Sequence, residues 1–328
     1  MDSSLFEKLH TEGNLTDASL QRVRAHASSG LFSVHWELKT LLYCGVLLLT
    51  TGLGVLVYKN IDIISHQVLL MLIALVCASS FFYCFQTKAP FSTGKVTSPH
   101  AFFDYILLLG CLTFLMLTGY LQAQYNLFGN RYGLMTFIPL VVLFSSAYYF
   151  DHLGILSLAI TNLAAWVGIT VTPSKILADN DFNSSTLIIS GLLLGSLLLV
   201  VAILTRRYSI KPHFAFTYTN FGAHLAFISC LAGLFHFESV YFLWFLLLLG
   251  LAWVFYQKSL QERSFYYLLI LTLYTYIGLS YVIVRFLLEG NFSESGLYLV
   301  FMYFISSSIG IILFLIKMNK KLKHHDSI

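Results

Sequence analysis

Ten apolar runs, each about twenty residues long and closed at both ends by polar residues, occupy most of this chain and leave little choice of architecture. Twenty residues of helix, at a rise of about 1.5 Å each, cross a hydrocarbon core of roughly 30 Å. Inside that core the backbone must satisfy its own hydrogen bonds, so each run is read as a transmembrane helix. The runs fall near residues 38–58, 67–86, 101–122, 133–150, 153–172, 186–205, 214–236, 239–256, 264–287 and 294–316. Only two residues separate the runs that meet at Asp151-His152 and at Phe237-Glu238, which predicts tight antiparallel hairpins. The expected fold class is all-α: a polytopic transmembrane helix bundle of about ten spans.

Composition agrees with that reading. Only 10% of residues are charged and 58% are hydrophobic, against about 25% charged in a soluble domain. The 29 Phe and 20 Tyr suit rings that sit at the headgroup level. The net charge of +4 is small and segregated by side, with no basic patch of exposed interleaved aromatics, so no nucleic acid partner is expected. Cys44, Cys77, Cys84, Cys111 and Cys230 lie in or beside apolar runs without a metal-ligand spacing and read as small packing residues.

Lys and Arg set the orientation, because they are retained on the cytoplasmic side during insertion. With the N-terminus inside, fifteen of the nineteen fall at cytoplasmic ends, and only Lys59, Arg131, Lys175 and Arg285 fall outside. Both termini are therefore expected in the cytoplasm, with the Gln122–Tyr132 loop external and Asp151-His152 internal. Three parts follow: a cytosolic head over 1–36, a ten-span domain over 37–317 and a basic tail over 318–328. In the head, Leu5, Phe6 and Leu9 form a short apolar face ending near Gly13. Thr16 is placed to cap a second helix carrying Leu20 and Val23, giving a short helical hairpin. No short apolar run precedes a cleavage site, so no cleaved signal peptide is expected.

Two stretches carry a family resemblance. The first run ends Gly52-Leu53-Gly54-Val55-Leu56-Val57-Tyr58-Lys59-Asn60-Ile61-Asp62. The third and fourth runs are joined by Gln124-Tyr125-Asn126-Leu127-Phe128-Gly129-Asn130-Arg131-Tyr132-Gly133-Leu134, followed by Pro139. The first half of the chain resembles the bacterial polytopic membrane proteins grouped as domain of unknown function 2157. Ile61 stands where those proteins usually have Trp, and Asn130 where Asp is common. The resemblance implies a bacterial inner (cytoplasmic) membrane protein and carries no activity.

Ionisable and polar groups inside a bilayer are costly, so each is a site candidate. His224 lies about 15 Å into the seventh run, with Asn220 one turn before it and Asn162 on a neighbouring run; these three would form a buried polar cluster. The alternative is a neutral imidazole bonded for helix packing. Arg285 lies one turn after Tyr281 and one before Glu289, where its planar fork would bind an anionic headgroup or carboxylate; the alternative is a cation that snorkels and pairs with Glu289. If the outer ends of the first, third and ninth runs meet, Asn60, Asp62, Gln122, Gln124, Tyr125, Arg131, Tyr281 and Arg285 would line one external ligand pocket. Asp151-His152 reads as an interfacial hairpin, with Asp104 and His213 at the same level; neighbours on a tight turn point apart, which weakens an acid/base pair. Tyr266, Tyr267, Tyr274, Tyr276 and Tyr281 would line a polar path along the ninth run, or pack between helices.

No catalytic, nucleotide-binding or metal motif is present, so no catalytic residue, metal or cofactor is expected. Two functions remain open. One is a noncatalytic component of a membrane assembly that binds lipid or another membrane protein. The other is a secondary transporter of a small polar or anionic solute, built from five-plus-five inverted helices. Pro139 alone lies well inside a run, and transporter sites favour interrupted helices, which tilts the balance to the first.

Overall fold

The computed structural model describes residues 10–12, 15–17, 19–21, 35–59, 66–129, 131–171, 184–289 and 293–323. Among them the secondary structure is helical, with no strand. Ten long helices follow one another: α1 His35–Lys59, α2 His66–Thr87, α3 Ala101–Tyr125, α4 Tyr132–Phe150, α5 Leu153–Val171, α6 Ser185–Arg207, α7 Phe214–His236, α8 Tyr241–Gln261, α9 Phe265–Glu289 and α10 Ser293–Lys323. A 3-10 turn, Glu238–Val240, leads into α8. Among the described residues nine helices, α2 to α10, are long and apolar enough to cross a membrane. Within the 25 residues of α1 lies a further apolar stretch, Thr40–Val55.

The chain divides into two compact units, Met1–Leu69 and Leu70–Ile328. In the first, the Thr16 carbonyl accepts the N–H groups of Ser19 and Leu20, each at 3.0 Å. On α1 the Thr50 hydroxyl bonds back to the Val46 and Leu47 carbonyls at 2.9 and 3.0 Å, which hides a polar group that hydrocarbon would leave unsatisfied.

In the second unit α7 is the central element. It packs on α5, α6, α8 and α9, while α3 packs on α4 and α5, and α10 on α9. One apolar core joins Leu107, Cys111, Leu143, Ala147, Ile155, Leu156 and Leu198 with Phe214 at the start of α7. A second joins Phe227, Cys230 and Leu234 of α7 with Leu248, Phe255, Tyr267 and Leu268 of α8 and α9. Lipid tails are as apolar as leucine, so helices associate here by close packing rather than by escape from water. The α6–α7 contact shows how: a methyl added at Gly195 would lie 2.7 Å from the Ala226 nitrogen, and one at Gly222 would lie 2.9 Å from the Gly195 carbonyl.

Pro139 falls inside α4 and disturbs a helical turn, since proline has no N–H and crowds the preceding carbonyls. Asn162 of α5 donates its amide to the nearby Thr136 carbonyl at 2.8 Å. Two ends of the unit gather the loops. At one, residues 88–100, 151–152 and 208–213 are linked through Asp151 and Lys211, and Arg206 reaches Glu262. At the other, Ser185 bonds His236, and the Arg285 guanidinium lies over the Tyr241 ring.

Candidate functional site

At the Arg285 end, α9, the turn into α8, Phe235 of α7 and Phe304 of α10 line an open cavity of ≈ 500 Å³. Its lining is Phe235, Glu238, Ser280, Tyr281, Val284, Arg285, Leu288 and Phe304. Arg285 follows Tyr281 by one helical turn, so the two side chains meet: Nη1 donates to the Tyr281 hydroxyl at 3.2 Å. The guanidinium carbon also lies 4.7 Å from the Tyr241 ring centroid, a cation–π contact that holds the fork in one place. Phe235 packs edge-on against Tyr281 with centroids 4.8 Å apart, and Ser280 shares a hydrogen bond of 2.9 Å with Tyr303. A preset cation, the Glu238 carboxylate, neutral hydroxyls and a largely apolar wall thus face one space. The side chain of Glu289, the alternative partner of Arg285 in the sequence reading, lies outside the described residues.

Of the residues expected in the larger external pocket, the described ones fall in two places. Asn60 and Asp62 lie outside the described residues. Gln122 spends its amide within its own turn, donating to Asn126 Oδ1 at 3.0 Å and the Gly129 carbonyl at 3.1 Å while accepting the Phe128 N–H at 2.9 Å. Asn126, at φ 46°, closes α3 in the left-handed conformation. Gln124, Tyr125 and Arg131 are exposed around this turn. Among the described residues, none of Gln122, Gln124, Tyr125 and Arg131 lines the cavity of Tyr281 and Arg285, because α3 packs on α4 and α5 whereas α9 packs on α7, α8 and α10.

The opposite end holds a polar network that sequence reasoning underrated. Asp151, read as part of an interfacial hairpin, is 1% exposed, and so is Lys211 beside it. Asp151 Oδ2 lies 3.2 Å from Lys211 Nζ, and Oδ1 accepts from His213 Nε2 at 2.6 Å. Lys211 Nζ also donates to the Gly94 carbonyl at 3.2 Å, and its backbone N–H to the Thr93 carbonyl at 2.7 Å. His152, 5% exposed, turns the other way: Nε2 is 3.9 Å from Asp104, and Nδ1 accepts the Ile155 N–H at 3.1 Å. Neighbours on the turn do point apart, as the sequence predicts, yet each finds a buried partner. Lys211 was legible only as one more cytoplasmic charge; its signal was the compact Lys211-Pro212-His213 between two runs.

Residues 7–156 match the family model described as Predicted membrane protein (DUF2157). No curated protein and no solved structure matches the chain. The DUF2157 match takes in both stretches that carried the resemblance, the Gln122 turn and Asp151-His152, and ends within α5. Lys211, His213, His224 and Arg285 lie beyond it.

His224 has both ring nitrogens engaged beyond the DUF2157 region. Nδ1 lies 2.8 Å from the Tyr274 hydroxyl and Nε2 lies 3.3 Å from the Tyr266 hydroxyl. Tyr266 donates to Asn220 Oδ1. That bond uses the Tyr266 proton, so Nε2 carries the imidazole N–H, and Nδ1 accepts from Tyr274. Asn220 and His224 are thus brought together, and Asn162 is not: its amide serves the Pro139 turn of α4. Of the tyrosines on α9, Tyr276 bonds Ser307 of α10 at 3.1 Å, so its hydroxyl does not join the His224 chain. Among the described residues, no group of three or more His, Cys, Asp or Glu is placed to hold a metal ion.

Proposed function

We propose that this membrane protein is a noncatalytic component that binds a lipid in the Arg285 cavity, with an anionic group of the lipid on the guanidinium and an acyl chain along the apolar wall. The observation that carries the reading is the fixed Arg285, held by Tyr281 and Tyr241, which shares the polar side of the cavity with Glu238 and Ser280 while Phe235, Val284, Leu288 and Phe304 wall the rest. Arg285 lies four residues before the end of α9, about 6 Å along the axis and therefore at headgroup depth. The cavity falls in the range of about 300–1,000 Å³ usual for ligand sites. The protein sits in the bacterial inner membrane, with α1 as the first of ten spans and both termini in the cytoplasm; the fifteen-to-four division of Lys and Arg supports this orientation.

Native mass spectrometry of the protein released from its own membranes in mild detergent tests the reading. The wild type is expected to carry a lipid adduct that Arg285→Ala loses while its helix content is unchanged. Equal retention by the variant would overturn it, and a stoichiometric bound protein in place of lipid would turn the reading to partner binding.

The Asn220–Tyr266–His224–Tyr274 chain favours a second reading, a secondary transporter moving a small polar or anionic solute. In that case His224→Ala abolishes uptake by proteoliposomes while insertion persists. Uptake unchanged by His224→Ala would remove this support.

A further inference from the structure

The cavity carries two charges of opposite sign, delivered by different elements. Arg285 comes from α9, and Glu238 from the turn between α7 and α8. The other carboxylates described in this unit are engaged: Asp151 by Lys211 and His213, Glu262 by Arg206 and Lys258, Asp104 by Ser98. Glu238 is exposed and makes no ion pair among the described residues, although it lines the same cavity as a guanidinium. A ligand with one charge serves only half of such a site. A ligand with an anion and a cation a few bonds apart serves both.

We infer that the cavity selects phospholipids with a primary ammonium headgroup, the phosphate meeting Arg285 and the ammonium meeting Glu238; this rests on the lipid reading above. The chemistry discriminates among common headgroups. A primary ammonium offers three N–H donors to a carboxylate, a quaternary ammonium offers none, and an uncharged glycerol headgroup leaves the phosphate as sole charge, facing Glu238 with repulsion. Charge-assisted hydrogen bonds are the strong ones. One of them separates the primary amine lipid from its glycerol counterpart by about tenfold in affinity.

The test uses the full-length protein in detergent, titrated with phosphatidylethanolamine, phosphatidylcholine and phosphatidylglycerol of identical acyl chains and read by native mass spectrometry. The wild type is expected to prefer phosphatidylethanolamine about tenfold over the other two, and Glu238→Gln, which keeps the shape, to lose that preference. A competition arm needs no variant: soluble phosphoethanolamine displaces the retained lipid more effectively than glycerol phosphate. It also shows whether the headgroup alone suffices as ligand. Equal binding of the three lipids with no difference between the soluble competitors, or a preference that survives in Glu238→Gln, overturns the headgroup assignment. If Arg285→Ala still abolishes retention, the lipid reading stands without it. Retention of all three lipids by Arg285→Ala at the wild-type level brings down both.

Discussion

Asp151 and Lys211 adopt left-handed backbone conformations, at φ 60° and 50°, a region that residues other than glycine seldom enter. Such conformations cost about 1–3 kcal/mol each and persist where surrounding contacts over-determine them. Here the side chains supply those contacts, since the pair is buried and bonded to carbonyls and to His213. Removing one partner strands the other charge away from water, so Asp151→Ala or Lys211→Ala is expected to cost about 3–5 kcal/mol, and the double variant less than the sum of the two. Unfolding in detergent checks this; strict additivity would mean that the two charges do not act as a pair. Glu262 makes a prediction about pH. Burial raises its carboxyl, but hydrogen bonds from Arg206 and Lys258 outweigh that and hold it below the ordinary 4.5. A carboxylate depressed on folding stabilises the fold above its unfolded value, and the benefit is lost as pH falls below 4.5 and through the folded value. Glu262→Gln should therefore lower the melting temperature at neutral pH and converge with the wild type in acid. A constant offset at all pH values would refute that assignment.

Among elements, the α6–α7 pair depends on bare backbone. Gly191 and Gly195 give α6 a small-residue face against α7. Gly195→Leu places a side chain where the Ala226 backbone stands and is expected to destabilise the unit by about 1–3 kcal/mol, read as a lower melting temperature in detergent. Gly250 and Gly310 have open space around them, so leucine there should leave melting unchanged and serves as control. The places of the helices were legible from hydropathy alone, because length and apolar content are properties of consecutive residues. The grouping of site residues was not. Gln122, Gln124 and Arg131 looked like neighbours of Arg285 only under the assumption that the third and ninth runs meet, and a leucine-rich helix surface leaves that choice open in one sequence.

For the whole molecule, orientation is the testable quantity. A fluorescent protein fused after residue 328 should mature in the cytoplasm, and a cysteine at Leu127 should react with an impermeant reagent added outside cells. The reverse pattern would invert the assignment and move the Arg285 cavity to the inner leaflet. That the chain is an all-helical membrane protein with spans near these positions could be read from residue order, since each apolar run must satisfy its backbone within itself and long runs have one solution in lipid. Which helices touch was decided in three dimensions. Small residues at α6–α7, the Thr136 carbonyl bonded by Asn162, and the fork of Arg285 set against Tyr241 are matches between surfaces far apart in the chain. Such matches win because lipid offers apolar helices no hydrophobic reason to prefer one neighbour over another, so shape and a few hydrogen bonds make the choice.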